Sequence, residues 1–318
     1  TSFATGGTYY IYAILDQTPT DPACRPFATV VLPVVNTPSV NPVLDQTVCA
    51  AASTTTVSFS GPVAGTEYNW TNNNTSIGLA SSGTGDIASF TAVNNGTAPV
   101  TATITVTPVT SPTTGAECTG ASITFTITVN PVPSVNAVSN LTYCAGVSVP
   151  SVVFTGNTPG AVYAWSRTNE AIGSIAANGT GNVPAFTATN ATTAPLTSTF
   201  TVVATYTNNG VSCTGTPIQF TITVNPTPTV AAVANQTLCN GSATTAVTFS
   251  GTVTNTVFNW TNNNSSIGLA ASGSGNIASF TAVNNGGAPV VATITVTPAS
   301  TNGIACAGTP VVLTITVN

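Results

Sequence analysis

Three tryptophans, Trp70, Trp165 and Trp260, stand at one fixed interval of 95 residues, and the rest of the chain keeps step with them. Around each lies the same motif. Tyr68-Asn69-Trp70-Thr71-Asn72-Asn73-Asn74 returns as Phe258-Asn259-Trp260-Thr261-Asn262-Asn263-Asn264, with Tyr163-Ala164-Trp165-Ser166-Arg167-Thr168-Asn169 as a looser copy between them. A period of this length means a tandem array of one small, independently folding unit. The full repeats are 37–130, 131–225 and 226–318. Residues 1–36 read as the second half of a preceding repeat, because Tyr9–Ile14 matches the strand expected at Thr101–Val106.

Within a repeat the hydrophobic period is two. Val100–Val106 and Ile123–Val129 alternate apolar residues with threonine, as strands with one buried face do. Val57–Ser60, Glu67–Thr71 and Ile87–Ala92 add further strands. Turn signals such as Asn94-Asn95-Gly96 and Asn209-Gly210 separate them. About seven short strands per repeat, with no amphipathic helical stretch, predict an all-β fold of tandem immunoglobulin-like antiparallel β-sandwiches. Trp70, Trp165 and Trp260 are the expected core anchors, one between the sheets of each repeat. The repeats are joined at Asn36-Thr37-Pro38, Asn130-Pro131-Val132-Pro133 and Asn225-Pro226-Thr227-Pro228, where alternating proline favours stiff, extended links.

The cysteines follow the same period. Cys49, Cys144 and Cys239 are early in their repeats, and Cys118, Cys213 and Cys306 are late. The economical pairing is within each repeat: Cys49–Cys118, Cys144–Cys213 and Cys239–Cys306. Each bridge is expected to stabilise its repeat by roughly 4 kcal/mol, and the set implies an oxidising, extracellular setting. Cys24 is left unpaired within the fragment. Its early partner falls before residue 1 or comes from another chain.

Composition narrows the function. Only 3% of residues are charged, and there is no Lys, His or Met. Arg25 and Arg167 are the only cations, so nucleic acid is excluded as a partner. No apolar run is long enough for membrane insertion as a helix. Without His or Lys there is no general base, and no Ser or Thr sits in a nucleophile motif, so no catalytic residue is assigned. No metal or cofactor is expected either. Cysteine pairs with metal-ligand spacing are missing, and the carboxylates are not kept between copies: Glu67 becomes Val162 and Val257, and Asp86 becomes Asn182 and Asn276. Lys–Asn isopeptide staples are impossible, which leaves disulfides to do that work.

The early Cys, the element Phe59-Ser60-Gly61 (Phe154-Thr155-Gly156, Phe249-Ser250-Gly251), the central Trp, the late Cys and a Thr-rich last strand ending Val-Asn-Pro together resemble PKD-like, immunoglobulin-like repeats. Such repeats occur in very large surface and secreted proteins of Bacteroidetes, many of the gliding-motility-associated, type IX secretion type. The resemblance implies a structural extracellular segment, a stalk or filament, of a bacterial surface protein. The uncharged Thr/Ser/Asn surface adds an expectation of self-association into fibres or of contact with other surface components. The alternative is an adhesin whose loops grip glycans or another cell surface. The segment before the late Cys (Pro108–Glu117, Thr207–Ser212, Ala299–Ala305) varies most between copies and is where such binding would lie. The Asn-rich segments after each Trp read as turn formers.

Overall fold

The computed structural model describes residues 7–14, 27–34, 36–110, 117–301 and 303–318. Each full repeat builds one six-stranded sheet. In the first, the tryptophan strand Glu67–Asn72 pairs antiparallel with the long strand Val100–Thr110, which pairs antiparallel with the last strand Ile123–Asn130. A short first strand, Gln46–Cys49, joins the far side of the last strand in parallel. Ser82–Thr84 closes the other edge, and Cys118–Thr119 pairs with the end of the long strand. The sheets of residues 141–225 and 236–317 keep this order.

The opposite layer is thinner. Residues 53–59 and 87–92 meet through the bridges Ser53↔Thr91 and Val57↔Ile87. Val57, Phe59, Ile87 and Ala92 from this layer pack on Trp70, Ile104, Phe125 and Ile127 from the sheet. A parallel first strand beside the last strand, followed by the long and tryptophan strands, with a second layer across the core, is immunoglobulin-like topology. The fold is therefore all-β, built of tandem immunoglobulin-like sandwiches.

The tryptophans lie in the cores, with 7%, 5% and 7% of their surfaces exposed for Trp70, Trp165 and Trp260. A glycine lies flat against each ring. A Cβ on Gly83 would sit 2.2 Å from Trp70, and on Gly273 2.2 Å from Trp260, so only glycine admits the indole there. The indole N–H of Trp70 donates to the Gly85 carbonyl at 3.1 Å, and that of Trp260 to Gly275 at 3.2 Å. The Phe-Ser/Thr-Gly element has a similar cause. A Cβ on Gly61, Gly156 or Gly251 would fall 2.0 Å from the carbonyl oxygen of Ser39, Ser134 or Thr229, where the incoming link crosses.

Low charge follows from how polar work is done. Asp86 accepts a hydrogen bond from the Phe59 N–H at 2.9 Å, and Asn182 and Asn276 do the same for Phe154 and Phe249. Asp45 accepts from Thr126 N–H as Asn140 does from Thr221 and Asn235 from Thr314. These positions need an acceptor oxygen, and a charge adds nothing. On the outer face threonines pair across strands, Thr101 with Thr128 at 3.0 Å and Thr197 with Thr223 at 2.9 Å.

The chain forms two compact units. The first comprises residues 1–133, 157–161 and 205–214, and the second residues 134–156, 162–204 and 215–318. These units do not follow the repeat boundaries, because the hairpin at 205–214 belongs with the first unit. The strands Gly7–Ile14 and Phe27–Val34 pair antiparallel, from Gly7↔Val34 to Ile14↔Phe27. Cys24, and with it the question of its partner, lies outside the described residues.

Candidate functional site: the disulfide joints

The cysteines correct the expected pairing. The bridges are Cys49–Cys213 and Cys144–Cys306, at sequence separations of 164 and 162, each with Cα atoms 5.5 Å apart. Among the described residues, both bridges run from the early Cys of one repeat to the late Cys of the next. The pairs Cys49–Cys118, Cys144–Cys213 and Cys239–Cys306 are not formed.

Strand direction is the reason. The parallel register sets Cys49 opposite Asn130 and Cys144 opposite Asn225, where the last strand leaves the repeat. The late Cys stands before the beginning of that same last strand. From Ile218 to Asn225 the strand covers seven steps, which is roughly 23 Å at about 3.3 Å per residue. A disulfide tolerates Cα separations only to about 7 Å. Early and late cysteines of one repeat are therefore at opposite ends. The late Cys shares the entry end with the incoming link, as the packing of Gly120 on the Pro38 carbonyl and of Gly308 on the Pro228 carbonyl shows.

In the first unit, further contacts surround Cys49–Cys213. Val211–Thr214 folds back on the long strand through a two-residue turn, with Asn209 at φ 50° and Gly210 at φ 74°. Asn130, fully buried, donates from Nδ2 to the carbonyls of Asn208 at 3.1 Å and Val211 at 3.4 Å. Its Oδ1 accepts from Asn208 Nδ2 at 2.9 Å. Asn209 Nδ2 donates to Thr47 Oγ1 at 3.3 Å, and the Cys49 sulfur lies 3.6 Å from the Ser212 carbonyl oxygen. The variable segment Thr207–Ser212, a candidate for binding loops in the sequence, is thus engaged by the joint. Sequence reasoning missed Asn130. Its recurrence as the last residue of each repeat, beside proline, was the available signal.

The second unit holds the second bridge in a similar setting. Asn225 is buried, and the Cys144 sulfur lies 3.8 Å from the Ala305 carbonyl oxygen. Thr227 Oγ1 reaches the Ala145 carbonyl at 3.5 Å. In both links the prolines Pro131, Pro133, Pro226 and Pro228 are buried.

The Asn-rich segments have internal tasks. Asn74 caps the 3-10 turn Thr75–Ile77, Asn73 accepts from the Thr103 N–H at 2.8 Å, and Asn72 donates to the Leu79 and Ala80 carbonyls. Arg167 replaces Asn72 in the middle repeat. It is buried and donates to the carbonyls of Ala176, Asn169, Gly173 and Ile175. Burial lowers its pKa from the ordinary arginine value, with the Glu170 charge opposing. Arg167→Ala strands these carbonyls, and about 3 kcal/mol of stability should be lost in denaturant unfolding. Arg167→Asn should recover part of it, since asparagine fills this role at Asn72 and Asn262.

Among the described residues no group of three His, Cys, Asp or Glu side chains comes together. No helix of the described chain is long and apolar enough to cross a membrane. Cys239 is an exposed free thiol.

No protein-family model and no curated protein matches the sequence. Solved structures match at low identity. Sidekick-1 immunoglobulin domains 1–5 is 16% identical, covering 100% of this chain and 67% of that chain, with a TM-score of 0.35. The human Desmocollin-1 ectodomain is 11% identical, covering 98% and 67%, with a TM-score of 0.36. Mouse Protocadherin-24 EC1-3 is 14% identical, covering 88% and 98%, with a TM-score of 0.38. At such TM-scores the immunoglobulin-like assignment rests on this chain's own strand order.

Proposed function

We propose that this chain is a structural repeat segment of an extracellular bacterial surface protein, a stalk or filament in which each repeat is covalently locked to the next. The repeats are those of 37–130, 131–225 and 226–318. The observation that carries this reading is the pair of bridges Cys49–Cys213 and Cys144–Cys306. A bridge inside a domain stabilises that domain alone, whereas a bridge across a joint holds the joint. Disulfides of this kind persist in oxidising compartments, which supports the extracellular placement.

The mechanism is mechanical. Buried prolines, the Asn130 clamp and a disulfide act together at a joint, so bending or stretching must break all three. Lateral edge-to-edge assembly is less well supported than end-to-end linkage. The outer strands of the first sheet, Ser82–Thr84 and Gln46–Cys49, are only 3 and 4 residues long, and short edges are poor templates for strand addition. The glycan-binding adhesin has no comparable support, since Trp70, Trp165 and Trp260 are all buried.

The test is electron microscopy of the protein as its source produces it, with antibody to the repeats. The expected result is label on strands outside the cell, which lose their regularity after reduction. Label confined to the cell interior overturns the proposal.

A further inference from the structure

Both bridges share one asymmetry. Cys213 and Cys306 are each 1% exposed, whereas Cys49 and Cys144 are half-buried. The late sulfur is shut in, and the early one is the side open to solvent. A thiolate breaks a disulfide by reaching one of its two sulfurs, so access decides which sulfur is attacked.

In the first unit the cover over Cys213 is the hairpin that carries it. Val211–Thr214 pairs with the end of the long strand, from Thr205↔Thr214 to Asn208↔Val211. Buried Asn130 holds both arms, through the carbonyls of Asn208 and Val211 and the side-chain amide of Asn208. Asn209 ties the turn to Thr47. These four hydrogen bonds must break before the hairpin lifts and Cys213 meets solvent.

We propose that the joint bridges are gated locks: a thiol enters at Cys49 or Cys144 alone, and the lock is released only when the segment bearing the late Cys has lifted away. The inference rests on the reading of the array as a covalently locked segment and gives that lock a control. A closed joint resists thiols, and a joint pulled open is cleaved.

The chemistry needs a reductant, a small thiol. Its thiolate attacks Cys49 Sγ and forms a new S–S bond there. The old bond breaks, and Cys213 leaves as a thiolate that takes up a proton. The thiolate of a second small thiol then attacks the bound thiol's sulfur and releases Cys49, which is protonated in turn. In sum, one protein disulfide and two small thiols give two protein thiols and one small disulfide. While the hairpin stays down, the Cys213 thiolate is held beside Cys49 in a buried site, where burial disfavours its charge and return attack closes the bridge.

The experiment treats the folded 318-residue chain with mercaptoethanol, quenches timed samples with N-ethylmaleimide and maps the peptides. The expected adducts are mercaptoethanol on Cys49 and Cys144, and N-ethylmaleimide on Cys213 and Cys306. In urea this preference should vanish. Asn130→Ala should speed loss of Cys49–Cys213 about tenfold, the scale of removing hydrogen bonds that hold a local opening shut, with Cys144–Cys306 at its parent rate. Asn209→Gly, which suits the φ of 50° there, should speed it less. Mercaptoethanol found equally on Cys213 and Cys306 overturns the inference. So does an unchanged rate in both variants, or a preference that persists in urea. If the untreated chain carries both bridges, such a failure sinks this inference alone; if it lacks them, the proposed function falls with it.

Discussion

Cys49→Ala combined with Cys213→Ala should lower the stability of the first unit by about 5 kcal/mol, the scale of loop-closure entropy for a bridge this long. The bridge closes a separation of 164 residues, and each sulfur sits in a joint also held by Asn130 and Asn209. Neither alanine disturbs a core strand, so both sheets should remain folded. The damage should appear at the joint. Limited proteolysis should cut near 130–133 and 208–212 at rates well above the parent chain, while thermal unfolding of that unit moves down. Unchanged proteolysis and melting would mean that the bridge holds nothing the remaining contacts do not.

Trp70→Ala should cost a similar amount, about 4 kcal/mol, for a different reason. The ring fills the space between Gly83 and the second layer, and its N–H donates to Gly85. Alanine leaves a cavity and an unpaired carbonyl, and Gly83 cannot move in to fill it. Hydrogen exchange localises the effect, because the core around Trp70 and the core around Trp260 share no residue. Amides in Val100–Val106 and Ile123–Val129 should exchange about a thousandfold faster, at about 1.4 kcal/mol per decade, with the sheet of residues 236–317 unaffected. Equal acceleration in every repeat contradicts the view of each sandwich as its own core.

Much of this fold can be read from the residues. The 95-residue interval gives the repeat, alternation with threonine gives the strands at Val100–Val106 and Ile123–Val129, and Asn209-Gly210 gives a two-residue hairpin. These signals are local, set by side-chain period and by φ at single residues. Disulfide partners are not local. Spacing makes Cys144 and Cys213 look like a pair, and nothing in the period reveals that Leu141–Cys144 runs parallel to Ile218–Asn225. That one parallel pairing sends the early Cys to the exit end and the late Cys to the entry end. The recurrence of Asn130 was visible but its task was not, since that lies in contacts with Asn208 and Val211, 78 and 81 residues away. The task of Arg167 could not be read because its four acceptors are backbone carbonyls, which leave no mark in a sequence.

The most direct test of covalent linkage between successive repeats is a disulfide map of the non-reduced, alkylated chain. Pepsin suits it, because a chain with two Arg and no Lys offers trypsin almost no sites, and acid suppresses thiol–disulfide exchange. The structure predicts cross-linked peptides joining Cys49 to Cys213 and Cys144 to Cys306. A map showing Cys144 joined to Cys213 would make each repeat a separate bead and remove the physical basis for a locked array.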